Sequence, residues 1–422
     1  MAAGEHVVEM TAAEQQEVIA AARELAVEFD AAGAKADEEN QFPFALVPRY
    51  KAAGLARFGV PKRYGGGGAD IWTIARVSRA LANGDPAIAL AFNMHQCMLG
   101  IYKAMMTEEQ REYWLRRIVD ENLLMCAAFS EDRAGVTGLS DVTATPVDGG
   151  YRISGRKSWV TLSEAADLLT FSATVTDADG TLPEDHAEKV NREQIFIVDK
   201  NSPGVEVLRT WNTHGMRATG TQTVMFTDAI VPTDALVGTM RGGLFAQLEW
   251  VTMTFSGVYL GLADKAYASM LKTLQKKSLG ATAAASDNPL REKGWVQHDV
   301  GRLKSRLEQA ERLLEMSCRL LIEGRDANWD PMARPALLNP VKLFVCETAQ
   351  DITETGMRLI GGSTFRRGNL LERLYRDARS GPFQPVTPDQ SYEMLGQFEL
   401  GLMSVPAPQL AHDGEPQLAA SR

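Results

Sequence analysis

Residues 129–161 constrain this chain more than any other stretch of its sequence. Asp148-Gly149-Gly150 lies between alternating apolar residues, and this pattern predicts a β-hairpin because glycine adopts positive φ without steric cost. The strand that follows ends in Trp159, Val160 and Thr161. A flat indole with a hydroxyl on the same face suits a planar heteroaromatic cofactor. The alternative from this segment alone is an ordinary sheet with one tryptophan in its core.

Composition limits the class of protein. The chain has 422 residues, enough for two or three domains, and a net charge of -10, which disfavours a broad nucleic-acid surface. Its four cysteines are far apart and lack metal-ligand spacing, so we expect reduced core residues of an intracellular protein and no metal site. The acidic N-terminus does not resemble a signal peptide, and no apolar run could span a bilayer. We therefore predict a soluble cytoplasmic protein.

The hydrophobic period divides the chain into segments. Residues 1–122 have a helical pattern, residues 123–238 have a period near two, and helical patterns return over residues 239–403. Within the β segment, residues 177–193 are polar and predict a long surface loop. The Pro-, Ala- and Gln-rich tail, residues 404–422, is predicted to be disordered.

Sequence blocks along most of the chain resemble the acyl-CoA dehydrogenase superfamily. They are Val60-Pro61-Lys62-Arg63-Tyr64-Gly65-Gly66, Ser130-Glu131, Lys157-Ser158-Trp159-Val160-Thr161, His214-Gly215-Met216-Arg217-Ala218-Thr219, Gly361-Gly362 and Tyr375-Arg376-Asp377-Ala378. The order helical, β, helical matches that family. The resemblance implies an α+β fold with an N-terminal helical domain, a middle β-domain and a C-terminal four-helix bundle.

The resemblance also implies a noncovalent FAD site. In the family the tryptophan stacks near the flavin and the threonine hydroxyl approaches the flavin N5, and Trp159 and Thr161 match these positions. The complete set of implied cofactor-binding residues is Ser130, Trp159, Val160, Thr161, Gly361, Gly362 and Thr387. Implied substrate-binding positions are Val136, where the family usually has serine, Val251 and Pro385.

The chain departs from the family at the catalytic base. Family dehydrogenases place a glutamate after the YRDA motif to remove the α-proton of an acyl thioester, and the ungapped count puts Pro385 there. Some members carry the base on the first helix after the β-domain, and that position is Val251. The acidic candidates are Glu249, Asp389 and Glu393, although Asp389 after Pro388 is better explained as a helix-cap residue.

These observations predict an FAD-dependent oxidoreductase that removes a proton and a hydride from an acyl thioester. The alternative is the flavin-dependent monooxygenase branch, which uses reduced flavin and O2 through a flavin hydroperoxide and which shares the block Gly215-Met216-Arg217-Ala218-Thr219-Gly220. A third possibility is a noncatalytic protein that binds flavin or acyl thioesters. The family implies a homotetramer or dimer, with either an electron-accepting flavoprotein or a flavin reductase as partner, and no nucleic acid or membrane.

Overall fold

The computed structural model of this protein describes residues 8–132, 139–240, 244, 247–278, 288–325 and 334–402. Within these ranges the chain is helical, then β, then helical again, as predicted. Val136 and the tail of residues 404–422 lie outside the described residues, so the predictions made for them stay predictions.

The first helical segment begins with a capping box. The Thr11 hydroxyl accepts from the Glu14 N–H at 3.2 Å, and the Glu14 carboxylate accepts from the Thr11 N–H at 2.6 Å. Thr107 and Gln110 repeat the arrangement at the start of the fifth helix. The helices are α1 (Ala12–Glu39), α2 (Leu46–Ala52), α3 (Ile71–Gly84), α4 (Pro86–Met105) and α5 (Glu108–Asp120).

The middle segment forms one mixed sheet. Its strands are β1 (Met125–Ala128), β2 (Thr143–Val147), β3 (Gly150–Val160), β4 (Leu168–Val175), β5 (Glu193–Asp199), β6 (Val205–Leu208), β7 (Gln222–Pro232) and β8 (Leu236–Thr239). The spatial order is β6-β7-β3-β2-β4-β5-β8, with β1 parallel to β4. The predicted hairpin is confirmed, because Val147 pairs with Gly150 and Gly149 has a φ of 77°.

The prediction of one long surface loop over residues 177–193 is wrong. A short helix, α6 (His186–Asn191), lies there and strand β5 begins at Glu193. Asp185 caps this helix by accepting from the Glu188 N–H at 2.9 Å. No residue of α6 is buried, so its sequence carries no apolar period that could have indicated it.

The C-terminal helices pack against both of the preceding segments. They are α7 (Glu249–Leu274), α8 (Gly294–Ile322), α9 (Arg334–Ile360), α10 (Leu370–Ala378) and α11 (Pro388–Glu399). Helix α7 contacts both α9 and α3, and it is buried almost throughout. Gly257 permits the close approach to α3, since a Cβ there would lie 2.3 Å from the carbonyl oxygen of Ala75.

Two predictions from composition can be compared with the structure. All four cysteines are buried and none forms a disulfide. Among the described helices, none combines the length and the apolar character needed to cross a membrane.

Candidate functional site

The end of strand β3 turns its tryptophan toward solvent. The register between β3 and β7 shifts between Lys157 and Val160, and Trp159 has a φ of 60°. This bulge leaves the Trp159 side chain 57% exposed while Lys157 and Val160 are fully buried. The indole packs edge to face against Trp211, with ring centroids 5.2 Å apart and an interplanar angle of 83°. The end of strand β3 therefore presents a broad aromatic surface to solvent.

A chain of threonine hydroxyls begins two residues further on, at the half-buried Thr161. The Oγ1 atoms of Thr161 and Thr221 are 3.0 Å apart, and those of Thr221 and Thr219 are 2.7 Å apart. The Thr219 hydroxyl donates to the Met216 carbonyl at 2.8 Å. Thr161 thus carries a hydrogen-bonded hydroxyl two residues after the exposed indole of Trp159.

Ser130 lies beside the same strand end. Its carbonyl accepts from the Ser158 N–H at 2.9 Å, next to Trp159. The adjacent Glu131 is buried and pairs with the fully buried Lys157 at 2.5 Å. Burial lowers the pKa of Lys157, against the attraction of Glu131, which favours the charged form.

The Glu131–Lys157 pair lies within a fully hydrogen-bonded cluster. Lys157 Nζ also donates to the hydroxyls of Ser140 at 2.8 Å and Ser172 at 3.0 Å. The Glu131 carboxylate accepts from the Asp141 N–H at 2.7 Å. Because the pair joins the turn after β1 to strand β3, it holds Ser130 and Trp159 together. Sequence analysis treated both residues as family markers and did not predict this contact.

The remaining predicted cofactor positions belong to the C-terminal segment. Gly361 follows α9 with a φ of 89°, and a Cβ at Gly361 or Gly362 would meet no atom within 4 Å. Thr387 is the N-cap of α11, and its hydroxyl donates to Gln390 Oε1 at 3.1 Å. Within the described ranges, no hydrogen bond links these three residues to Trp159 or Thr161.

The acidic candidates for a catalytic base lie in two places. Asp389 and Glu393 are exposed on α11, and Glu393 accepts from Gln397 Nε2 at 3.1 Å. Glu249 is 2% exposed in the first turn of α7, where its Oε1 lies 3.4 Å from Arg334 Nη1. Val251, two residues further along α7, is half-buried.

A buried lysine adjoins Pro385, the position at which the family resemblance predicts the catalytic base. Lys342 of α9 is fully buried, and its Nζ donates to the carbonyls of Gln384 at 2.5 Å and Val386 at 3.0 Å. These two residues flank Pro385, which is half-buried. Burial lowers the pKa of Lys342 to about 8. Sequence analysis missed this residue, although a lysine within the apolar run of residues 340–345 is an unusual signal.

The YRDA motif joins three parts of the chain. The Arg376 guanidinium binds both oxygens of Asp37 in α1, at 2.7 and 2.8 Å, and donates to the His214 carbonyl at 3.0 Å. It also binds Glu372 of its own helix at 2.6 Å. Asp377 accepts from the Met216 N–H at 2.6 Å. Burial and the nearby Asp85 carboxylate raise the pKa of Asp377 to about 7.

A large surface groove is present elsewhere in the molecule. Its volume is about 1040 Å³, and its lining includes Trp72, Arg76, Arg79 and Asp264, but none of the predicted site residues. Its arginine Arg79 is already paired with Asp264 at 2.6 Å. We therefore assign the candidate site to the end of β3.

Comparison with known proteins agrees with this fold. Three models of the acyl-CoA dehydrogenase family match the chain: the N-terminal domain at residues 12–122, the middle domain at 126–229 and the C-terminal domain at 253–382. The protein therefore belongs to the acyl-CoA dehydrogenase family, whose members are flavin oxidoreductases. It is an acyl-CoA dehydrogenase-family flavoprotein.

Individual relatives include more than one kind of protein. The mitochondrial short-chain specific acyl-CoA dehydrogenase of Bos taurus is 26% identical over 352 residues, covering 82% of this chain and 80% of the relative. The amino sugar nitrososynthase DnmZ of Streptomyces peucetius is 26% identical over 388 residues, covering 86% and 88%. The FMN-bound structure of TdsC from Paenibacillus sp. A11-2 matches with a TM-score of 0.78 at 23% identity, covering 91% of this chain and 97% of that chain, which supports the fold.

Proposed function

We propose that this protein binds FAD at the end of β3 and oxidises a small molecule. The observation that carries the proposal is the exposed indole of Trp159 with the Thr161 hydroxyl two residues away. A large aromatic surface in water is costly unless a ligand covers it, and a planar ring with polar edges matches an indole beside a hydroxyl. When bound, a flavin supplies two-electron redox chemistry.

The other predicted residues have proposed roles around this centre. The buried Val160 is proposed to anchor the strand beneath the cofactor, and the Ser130 hydroxyl is proposed to bind the flavin ring. Gly361, Gly362 and Thr387 are proposed to contact the cofactor of a neighbouring subunit, and the space around the two glycines is open in one chain. Val136, Val251 and Pro385 are the proposed substrate-binding positions.

The first candidate reaction is the oxidation of an acyl thioester, as in the dehydrogenases of the family. Removal of an α-proton needs a positioned base, which contributes about 10²–10⁴ in rate. With proline at position 385, we propose that the substrate either has an α-proton that is already acidic or meets an unusual base. We expect little activity on simple fatty acyl-CoAs, with electrons passing to an acceptor flavoprotein.

The placement of the carboxylates favours a second candidate, oxygenation by reduced flavin and O2. Asp389 and Glu393 are exposed on α11, and Glu249 is engaged with Arg334 across α7 and α9. Oxygenation needs no carboxylate at Pro385. It would require a flavin reductase as a partner. The relatives that match this chain include an amino sugar nitrososynthase as well as a dehydrogenase.

Purified protein is expected to be yellow and to release FAD on denaturation. Replacing Trp159 by alanine removes the aromatic surface and should weaken flavin affinity about tenfold, because ring stacking contributes about 0.5–1.5 kcal/mol beyond buried area. Fluorescence titration of the apoprotein measures the affinity, and chromatography of the released flavin distinguishes FAD from FMN. The matched control is Trp72→Ala, which changes a tryptophan of the separate groove. Protein that takes up neither flavin would indicate the noncatalytic class.

One stopped-flow experiment separates the two candidate reactions. The bound flavin is reduced chemically and mixed with oxygenated buffer. A long-lived absorbance that differs from both the reduced and the oxidised flavin would support oxygenation and exclude the dehydrogenase proposal. Bleaching of the oxidised flavin by an acyl thioester, with no added reductant, would support the dehydrogenase proposal.

We also propose a homotetramer or dimer. Phe365 and Phe383 are 82% and 79% exposed, and the first lies three residues after Gly362. Exposed aromatic side chains of this size mark interfaces between proteins. Analytical ultracentrifugation should show an assembly of two or four chains, and a flavin-loaded monomer would contradict the proposal.

A further inference from the structure

The surface groove that contains Trp72 and Arg76 has more cations than carboxylates in its wall. Helices α1, α3 and α7 form most of that wall, and the volume of about 1040 Å³ is close to the upper end of the roughly 300–1,000 Å³ usual for small-molecule sites. The chain as a whole has a net charge of -10, so a cationic groove would concentrate anions against the overall charge. The charged residues of the wall are the cations Arg23, Arg76, Arg79, Lys265 and Lys272 and the carboxylates Asp30, Asp264 and Glu311.

Two of the cations already neutralise all three carboxylates. Arg79 Nε lies 2.6 Å from Asp264 Oδ2, and its Nη1 lies 2.6 Å from Glu311 Oε1. Lys265 Nζ binds both Asp30 and the Gly84 carbonyl. The remaining cations of the groove therefore have no carboxylate of the groove left to pair with.

Arg76 has an unused donor that faces this groove. Its Nη2 donates to Gln15 Oε1 at 2.9 Å, while its Nε is buried and has no hydrogen-bond partner within the described residues. Arg23 is exposed on the opposite wall, in α1. In the part of the chain that the structure describes, neither arginine forms an ion pair, and neither does Lys272. A buried guanidinium N–H without an acceptor is costly, and an anion in the groove would supply the acceptor.

Like charges surround Arg76. Burial lowers the pKa of Arg76, and the carboxylates of Asp70 and Glu315 oppose this shift. The positive charges of Arg319 and Arg23 lower the pKa further, because they repel the guanidinium. An anion that contacts Arg76 and Arg23 would offset this repulsion.

An aromatic side chain adjoins the unpaired guanidinium. Arg76 Cζ lies 5.5 Å from the centroid of the Trp72 ring, and the indole is half-buried. Trp72 and Arg76 also line a second cavity of about 270 Å³, so space is present on more than one side of them. A planar ring joined to an anion at Arg76 would therefore lie within reach of the indole.

We propose that this groove is a binding site for a nucleoside phosphate, with the phosphate groups at Arg76 and Arg23 and the base against Trp72. Guanidinium groups bind phosphate oxygens through charge-assisted hydrogen bonds, and an indole stacks on any planar base. Lys272 adds positive charge to the same groove. The site is separate from the end of β3, and the inference does not depend on a flavin being bound there.

The test is isothermal titration calorimetry of the full-length protein with ATP, after free flavin has been removed. Arg76→Met and Arg23→Met should each lower the affinity for ATP at least tenfold, because each removes charge-assisted hydrogen bonds to phosphate. Trp72→Ala should lower it about tenfold through the loss of stacking. Raising the salt concentration should also weaken binding, since the contacts are ionic.

Arg23→Met is the decisive variant. Arg23 is exposed and has no ion pair within the described ranges, so its replacement should leave the free energy of unfolding in urea unchanged. The matched control is Arg312→Met, which removes an exposed arginine of α8 outside the groove and should leave ATP affinity unchanged. Absence of ATP binding at about 1 mM, or equal affinity in the wild type and in Arg23→Met and Arg76→Met, overturns the inference.

A second titration separates the base from the phosphates. Tripolyphosphate carries the charge without the ring, so it should bind more weakly than ATP, and Trp72→Ala should not change its affinity. Equal affinities for ATP and tripolyphosphate would overturn the assignment of a nucleoside phosphate, because the indole would then contribute nothing to recognition.

Discussion

Replacing Lys157 by methionine is expected to destabilise the fold by about 3–5 kcal/mol, because it leaves the Glu131 carboxylate buried without its cation. The Lys157 side chain is fully buried, and its Nζ lies 2.5 Å from Glu131 Oε1. Methionine keeps most of the apolar stem, so the loss reflects mainly the charge and its hydrogen bonds. Urea denaturation followed by far-UV circular dichroism, at fixed protein concentration, measures the change.

Two controls isolate the buried charge. The double variant Glu131→Gln with Lys157→Met removes both charges and should recover part of the loss, although a neutral amide cannot accept every hydrogen bond that Glu131 receives. Lys62→Met breaks an exposed pair with Glu14 by the same chemical change and should have a much smaller effect. Equal effects of Lys157→Met and Lys62→Met would contradict the proposed role of the buried pair.

The order of the segments was predictable from sequence because each has a long, regular hydrophobic period. Helix α8 illustrates this, since its buried residues Leu303, Leu307 and Leu314 recur at helical spacing. The hairpin was predictable from local turn chemistry. Strands β1, β6 and β8 have four residues each, and this length is too short to show an alternating pattern.

The site was predictable only in part. Trp159 and Thr161 are close in sequence, and the resemblance assigned them together. The bulge that turns the indole outward depends on pairing with β7, so no local pattern could indicate it. The partners of Lys342 lie 42 and 44 residues away, and Arg376 and Asp37 are 339 residues apart. Contacts of this kind exist only after the domains have packed.

Arg376→Met is expected to cost about 3–5 kcal/mol of stability, since one guanidinium neutralises two nearly buried carboxylates. Asp37 and Glu372 are each 8% exposed, and both bind Arg376 through two nitrogens. Arg376→Lys should also lower the stability substantially, although less than Arg376→Met. The lysine ammonium keeps the charge, but it cannot reproduce the planar guanidinium that also donates to the His214 carbonyl.

The matched control for Arg376 is Arg302→Lys in the C-terminal helices. Arg302 forms the same two-point contact with Asp351, at 2.5 and 2.9 Å, but its side chain is 37% exposed. Because water can hydrogen-bond to the exposed groups there, Arg302→Lys should lower the free energy of unfolding by less than about 1 kcal/mol.

Arg376 joins α1, α10 and the loop that contains His214. Its loss should therefore also loosen the Met216 peptide, which ends the threonine chain. Urea denaturation gives the stability, and the quenching of Trp211 fluorescence by acrylamide reports on that loop. An Arg376→Met protein as stable as the Arg302→Lys control would show that the YRDA arginine does not hold these three elements together.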